Sequence, residues 1–515
     1  MKTEMKDYRK KVLGCWLGKA AGGTLGMPFE GYPGTHNLTY YDPIPTEAVP
    51  NDDLELQVMY ACALQNMEDP QVSSKTFGDI WLKHMEYNAD EYAVALCNIR
   101  NDIRPPWSGN YDNYFIDGMG AAIRSELWAC LAPGNPELAA KYAYEDACVD
   151  HAENGIYAEV FFAALESQAF VETNILRLID AGLSCIPEDC LIHKGVTNTC
   201  FWWRQSENWR IVRDKIFATY ASEFATCVNV NVPFTILGLL AGGGDFGKSV
   251  CTAANCGMDT DCTAATAGAI LGLISPDSIG EKWLKPIGRD LIVRESKIVN
   301  LKTPKTLDDF ANLVIALKDK LGVFIPSAPA PEPDWSKHTI HAEICALKTR
   351  SWWHIPLRNF KGRWEPIELP GLLTKLDLTR YQGALQLLLK LKFKIDVEDD
   401  YSIMFNTPSS CQVYLDPDWE SESLEDSRDM LFGRSRPFFG EEPDRFPVKQ
   451  SMFNVVFSPC LGGAPLNQIK RSLRIKPGIH ELLVSIVPQA DDKKLKWCMG
   501  IGKMSTLGFL PKAFR

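Results

Sequence analysis

The run Asn255-Cys-Gly-Met-Asp259-Thr-Asp261-Cys262-Thr-Ala-Ala-Thr-Ala-Gly-Ala-Ile-Leu-Gly272 constrains this 515-residue chain more than any other stretch. Asp259, Thr260, Asp261 and Thr263 are residue types of a helix start. Behind them Ala264, Ala265, Ala267, Gly268, Ala269 and Gly272 carry so little bulk that neighbouring helices can approach the backbone closely. Two anionic oxygens at the head of a tightly packed helix suit a hard divalent cation, because Mg2+ and Mn2+ take oxygen ligands. The alternative is that Asp259 and Asp261 only cap the helix and favour its dipole.

A second stretch has the same character. Pro50-Asn51-Asp52-Asp53-Leu-Glu55 opens an apolar helix with paired carboxylates, and Asn51 or Asp52 can cap it. Like charges crowded in this way are costly unless a cation or a proton intervenes. Upstream, residues 8–30 read as a helix running into a glycine-rich turn, Gly18-Lys-Ala-Ala-Gly22-Gly23-Thr-Leu-Gly26-Met-Pro28-Phe-Glu30, in which Pro28 ends the regular structure. Glu30 is either a solvated loop carboxylate or a third acidic donor.

Residues 98–125 form a loop rich in Pro, Gly, aromatics and acids that feeds a helix. Arg104, Trp107, Tyr114, Asp117 and Gly118 lie on it. The rings of Trp107 and Tyr114 either stack on a base or sugar or anchor the loop to the core. His151, in Asp150-His151-Ala-Glu153-Asn154-Gly155, reads as an acid/base group, a metal ligand or a polar residue held at a helix junction. Helices are expected at 137–150, 154–171, 173–182, 207–221, 288–296 and 306–321, with an apolar stretch at 232–241. Pro326, Pro329, Pro331 and Pro333 then form a semi-rigid linker. Beyond it the period changes to two: Leu389, Leu391, Phe393, Ile395 and Val397 alternate with Lys390, Lys392, Lys394 and Asp396. Strands are expected there and at 401–405, 412–415, 452–457, 478–487 and 495–501. This pattern indicates a β-sandwich. The expected organisation is an all-α domain over 1–325, a linker over 326–335 and an all-β sandwich, jelly-roll-like, over 336–515.

Composition removes several function classes. The formal net charge of -11 argues against a nucleic-acid partner. No apolar run approaches the ~18 residues of a membrane span, and Glu4, Asp7 and Lys19 interrupt the signal-like N-terminus. Sixteen cysteines without C-x-x-C or zinc-module spacing point to a reducing, cytoplasmic setting. Cys251, Cys256 and Cys262 cluster around the acidic helix start and read mainly as small buried side chains.

The order Gly18-x-Ala20-x-Gly22…Leu25-Gly26-x-Pro28-x-Glu30, then Asn51-Asp52-Asp53, then Gly257-x-Asp259-Thr260-Asp261-x-Thr263-Ala264-Ala265 resembles the ADP-ribosylglycohydrolase family, which includes the hydrolase that reactivates ADP-ribosylated dinitrogenase reductase. Gly118–Arg124, Ala132–Pro136 and Asp150-His151-x-x-Asn154-Gly155 resemble its middle region. The likeness spans roughly residues 8–325. It implies an orthogonal all-α fold and a centre of two Mg2+ or Mn2+ ions. By position, Glu30, Asn51, Asp52, Asp53, Asp259, Asp261 and Cys262 are the implied ligands, with Glu30 or Asp53 activating the water. Arg104, Trp107, Tyr114, Asp117, Gly118 and His151 are the implied substrate contacts. The chain departs from the family pattern at Asn51 and Cys262, where threonine is usual, and at Gly23, where aspartate is usual. A thiol is a poor partner for Mg2+.

The implied reaction is metal-dependent hydrolysis of an N- or O-glycosidic bond, since paired cations suit the vicinal hydroxyls of a ribose. ADP-ribosylated protein or a small ADP-ribose conjugate is the first substrate class. Glycans or nucleosides are the second, because the segment 401–416 is similar to accessory modules of carbohydrate-active enzymes. A non-catalytic ADP-ribose- or sugar-binding protein with a decayed site, and an oligomerising C-terminal half, are the remaining alternatives.

Overall fold

The computed structural model describes residues 8–509 except 88–89, 114, 223–224, 327, 329, 349–359, 372, 407–409, 418, 421–429, 435–469, 489–493 and 504–507. The chain divides into two compact units. One comprises Met1–Tyr87, Asn98–Asn110 and Phe115–Pro331; the other comprises Asn88–Cys97, Tyr111–Tyr114 and Glu332–Arg515.

Among the described residues the α-helices run in this order: α1 Tyr8–Gly26, α2 Asp52–Asn66, α3 Ser74–His84, α4 Asp90–Arg100, α5 Trp107–Asn110 and α6 Ser125–Leu131. They continue with α7 Pro136–Ala147, α8 Asn154–Gln168, α9 Ile175–Leu183, α10 Leu191–Ser206 and α11 Trp209–Tyr220. The last are α12 Val228–Gly242, α13 Phe246–Asn255, α14 Thr260–Ile274, α15 Glu281–Leu284 and α16 Leu307–Lys320. Trp16, Trp81, Trp128 and Trp283 are fully buried among these helices.

The pair α1–α14 organises the first unit. Glycine recurs every fourth residue on α1, at 14, 18, 22 and 26, so one face of that helix has no side chains. The small face of α14 lies antiparallel against it. A Cβ on Gly18 would overlap the carbonyl of Gly268, and one on Gly22 would overlap that of Ala264. Backbones this close leave no room for even a methyl group. Reciprocally, Thr260 Oγ1 donates to Gly26 O at 2.7 Å, tying the end of α1 to the start of α14.

One expected element is absent. Residues 288–296 are not helical. Gly288 has φ +68°, Asp290 bridges to Thr306, and Leu291 N donates to Lys305 O at 2.9 Å. Tertiary backbone pairing there overrides a helical apolar spacing. Pro233 lies inside α12 without ending it, and α3, α4, α10 and α13 are additional to the helices read from the sequence.

In the second unit β1 Ile340–Leu347, β2 Glu365–Leu369, β4 Gln386–Ile395, β6 Ser410–Leu415, β7 Met430–Arg434 and β9 Gly478–Val487 form one antiparallel sheet, ordered β2-β1-β4-β9-β6-β7. β5 Asp399–Asn406, β8 Lys470–Ile475, β10 Lys494–Lys503 and β11 Gly508–Phe509 form another, ordered β11-β10-β5-β8, with β3 Leu373–Asp377 also pairing β10. β4 pairs β9 with Leu389 opposite Val484 and Leu391 opposite Leu482. Leu391, Phe393 and Ile395 are buried while Lys392 and Lys394 are exposed, as alternation requires. Leu388, Cys345, Tyr414 and Leu483 pack into one cluster. Tyr111 stacks on Trp335 at 4.9 Å between ring centroids and donates its hydroxyl to Pro370 O at 2.9 Å. The strand expected at 452–457 lies outside the described residues.

Candidate metal centre

Local backbone chemistry aims the acidic groups. The turn before α14 has two successive residues in the left-handed region, Gly257 (φ +80°) and Met258 (φ +67°). For methionine this conformation costs about 1–2 kcal/mol. It is held by Gly31 N donating to Met258 O and Met258 N donating to Tyr32 O, both at 2.8 Å. Asn255 pairs both ways with the Leu38 backbone, at 2.6 and 2.9 Å. Asn231 of α12 accepts from Asp259 N at 3.2 Å. The 3-10 turn Met27–Phe29 follows α1 and delivers Glu30 to the same place.

Two groups of ligand atoms result. Glu30, Asp259 and Asp261 place one atom each within 4.8 Å of one another, as do Asp53, Asp261 and Cys262. Asp261 belongs to both. Glu30 is exposed and the other four residues are buried. Asp259 occupies the N-cap position of α14 but makes no side-chain cap bond. Neither of its oxygens, nor Oδ1 of Asp261, accepts a hydrogen bond from a nitrogen or hydroxyl donor. Capping therefore does not explain these carboxylates. Burial, and then the Asp261 carboxylate, push the Asp259 carboxyl well above the usual range. Burial, then Glu30 and Asp53, do the same to Asp261. Half-buried Asp52 is pushed up to about 7 by loss of solvation and by Asp53. Anionic oxygens crowded in a low-dielectric site are stabilised by a cation. The donor set fits one.

At the other helix start Asn51 Oδ1 accepts from Asp53 N at 2.8 Å, so the amide oxygen implied as a ligand serves as the cap of α2. Its amide nitrogen faces Gly23, where a Cβ would overlap it. Two of the departures from the family pattern are thus one adjustment: glycine at 23 makes room for asparagine at 51.

Asp53 is paired with Lys19, whose Nζ lies 3.1 Å from Oδ1 and 2.7 Å from Glu126 Oε1, all three fully buried. Glu126 also accepts from Gln57 Nε2 at 2.9 Å. Burial opposes the Lys19 charge, but Glu126 and Asp53 outweigh it and hold the ammonium protonated. Sequence reading missed this network. Its signal was a lysine set between the glycines of the apolar stretch Val12–Gly26 of α1.

The residues implied as substrate contacts belong to neither of these two groups. Asp117 Oδ2 accepts from Asn229 Nδ2 at 2.9 Å, and Gly118 bridges to Cys227, so both are tied to the start of α12. Arg104 forms an ion pair with Asp79 at 3.2 Å. Trp107 Nε1 donates to Ala330 O at 3.2 Å, anchoring its loop. His151 is fully buried with Nδ1 2.9 Å from Asp150, and Asp150 binds Arg124 through both oxygens at 2.8 and 2.9 Å. Burial would raise the Asp150 carboxyl, but Arg124 and His151 hold it at about 2. Tyr114 lies outside the described residues.

Among solved structures, an ADP-ribosylglycohydrolase-related protein complex matches with 19% identity over 61% of this chain and 99% of that chain, at TM-score 0.42. The β-glucosidase of Kluyveromyces marxianus matches with 12% identity over 32% of this chain and 15% of that one, at TM-score 0.18. The α-xylosidase of Xanthomonas citri matches with 11% identity over 31% and 13%, at TM-score 0.16. No curated protein matches the sequence. The profile of the ADP-ribosylglycohydrolase family matches residues 4–314, and the chain belongs to that family of hydrolases acting on glycosyl bonds.

Proposed function

We propose that this protein hydrolyses the glycosidic bond of an ADP-ribosyl group, or of a related ribosyl or glycosyl conjugate, with two Mg2+ or Mn2+ ions. Glu30, Asp259 and Asp261 would hold one ion and Asp53, Asp261 and Cys262 the other, with Asp52 beside them. The observation that carries this reading is the buried Asp259 carboxylate, which accepts from no nitrogen or hydroxyl donor and lies against the Asp261 carboxylate. When bound, the cations supply charge neutralisation, a grip on sugar hydroxyls and an acidified water.

The chain's own residues do the rest. Glu30, exposed to solvent, accepts a proton from the attacking water. Lys19 orients Asp53 through the ion pair at 3.1 Å. The C1–leaving-group bond breaks through an oxocarbenium-like state as the water oxygen bonds to C1 and a proton passes to the leaving group. The two sheets of the second unit are read as part of an accessory β-sandwich over 336–515, which follows a catalytic domain over 1–325 in the chain.

Calorimetric titration of ADP-ribose into chelated and Mg2+-loaded protein tests the proposal, with Asp261→Ala as control. Metal-dependent binding that vanishes in the variant is expected. Metal binding without ADP-ribose binding would redirect the substrate to glycans or nucleosides. Failure of both would end the reading of this protein as a metal-dependent hydrolase.

A further inference from the structure

We propose that Asp53, Asp261 and Cys262 form a thiol-bearing cation site that takes a thiophilic divalent ion of the Zn2+, Co2+ or Fe2+ class in preference to Mg2+. The inference rests on the proposed metal centre and deepens it: the two adjacent sites are chemically different.

Glu30, Asp259 and Asp261 offer oxygen alone, the donor set of Mg2+ and Mn2+. The neighbouring group shares Asp261 but replaces one oxygen with the Cys262 sulfur, within 4.8 Å of both carboxylate ligand atoms. Mg2+ demands an octahedron of oxygens, whereas thiolate with carboxylate suits Zn2+ and its neighbours in softness. Cys262 is 8% exposed, so water does not readily replace the missing oxygen. A cysteine that only filled space would sit among apolar groups, but this one lies beside the carboxylates of Asp259, Asp261 and Asp53, and its thiol faces Asp259 as a hydrogen-bond partner. Cys256, by contrast, is spent within its own helix, its Sγ bonded to Thr252 O at 3.2 Å. Asp53 is pinned from behind by Lys19 at 3.1 Å, and Asp261 Oδ1 accepts from no nitrogen or hydroxyl donor. Binding exchanges the thiol proton for a sulfur–metal bond and releases that proton to solvent; no electron is transferred.

The full-length protein, stripped with a chelator, is titrated with Co2+ and followed by absorption. Wild type is expected to develop a thiolate-to-cobalt charge-transfer band that Zn2+ abolishes and excess Mg2+ does not. Cys262→Thr is expected to lose the band and bind Co2+ about ten- to a hundredfold more weakly, at least the loss caused by removing a supporting partner of a metal site. Cys251→Ser should retain the band, and Cys262→Ser replaces the threonine variant if circular dichroism shows that it misfolds. A band that persists without Cys262 would overturn the inference. So would equal Mg2+ binding by wild type and Cys262→Thr with no cobalt band, which leaves the hydrolase reading intact. Binding of no divalent cation by any form would overturn the reading beneath it.

Discussion

A lysine with no solvent access holds two carboxylates together at the centre of the first unit. Removing one partner of such an arrangement strands buried charge, at about 3–5 kcal/mol. Lys19→Met should therefore destabilise the metal-free protein by about that amount in urea unfolding, and the double change Lys19→Met/Glu126→Gln should recover part of it. The acidic cluster makes a second prediction, about pH. Asp259 and Asp261 are raised well above the usual carboxylate range and Asp52 to about 7. A carboxyl with a higher pKa folded than unfolded binds its proton more tightly when folded. That stabilisation is complete below the unfolded value, about 4, and is lost as pH rises through the folded value. Chelated protein should thus melt at lower temperature at pH 8 than at pH 5, and Mg2+ or Mn2+ should narrow the gap. The acidic residues were legible because their spacing is local: Asp259 and Asp261 flank one residue, and Asp52 and Asp53 are adjacent. Lys19, Glu126 and Gln57 were not, because they meet only when α1, α2 and α6 pack.

The pairing of α1 with α14 is the element on which the site depends, since it sets the end of one helix beside the start of the other. A side chain at Gly18 must displace the backbone of Gly268 rather than a flexible tip. Gly18→Val is expected to cost more than the ~1–3 kcal/mol usual for an overfilled core, and to weaken metal binding in parallel, read by thermal unfolding and calorimetric titration. The small-residue stripes were visible in the sequence as glycine and alanine at helical spacing. Their partnership was not, because 234 residues separate Gly26 from Thr260, the hydrogen-bonded pair that joins them. The same limit explains residues 288–296. Their apolar spacing suited a helix, but pairing with the segment before α16 satisfied the backbone instead.

For the molecule as a whole, the two units give calorimetry a means of locating the metal. Cation at about a hundredfold over its dissociation constant stabilises only what binds it, by about 2.7 kcal/mol. Mn2+ should raise the unfolding transition of the helical unit and leave that of the sheet unit unmoved; a shift of the sheet transition alone would contradict the site. The division itself is not collinear with the chain, since Asn88–Cys97 and Tyr111–Tyr114 belong with Glu332–Arg515. The proline run marked a change from helix to strand but could not reveal that Tyr111 stacks on Trp335. By itself the sequence determined the helical period before the prolines, the two-residue period after them, and two helix starts rich in carboxylate, because each depends on residues close in the chain. Tertiary structure decided that Glu30, Asp53, Asp259, Asp261 and Cys262 converge, that Asn51 serves as a cap against Gly23, and that a buried lysine stands behind Asp53. Those outcomes depend on which backbones can approach closely enough to touch, a property of pairs of distant segments.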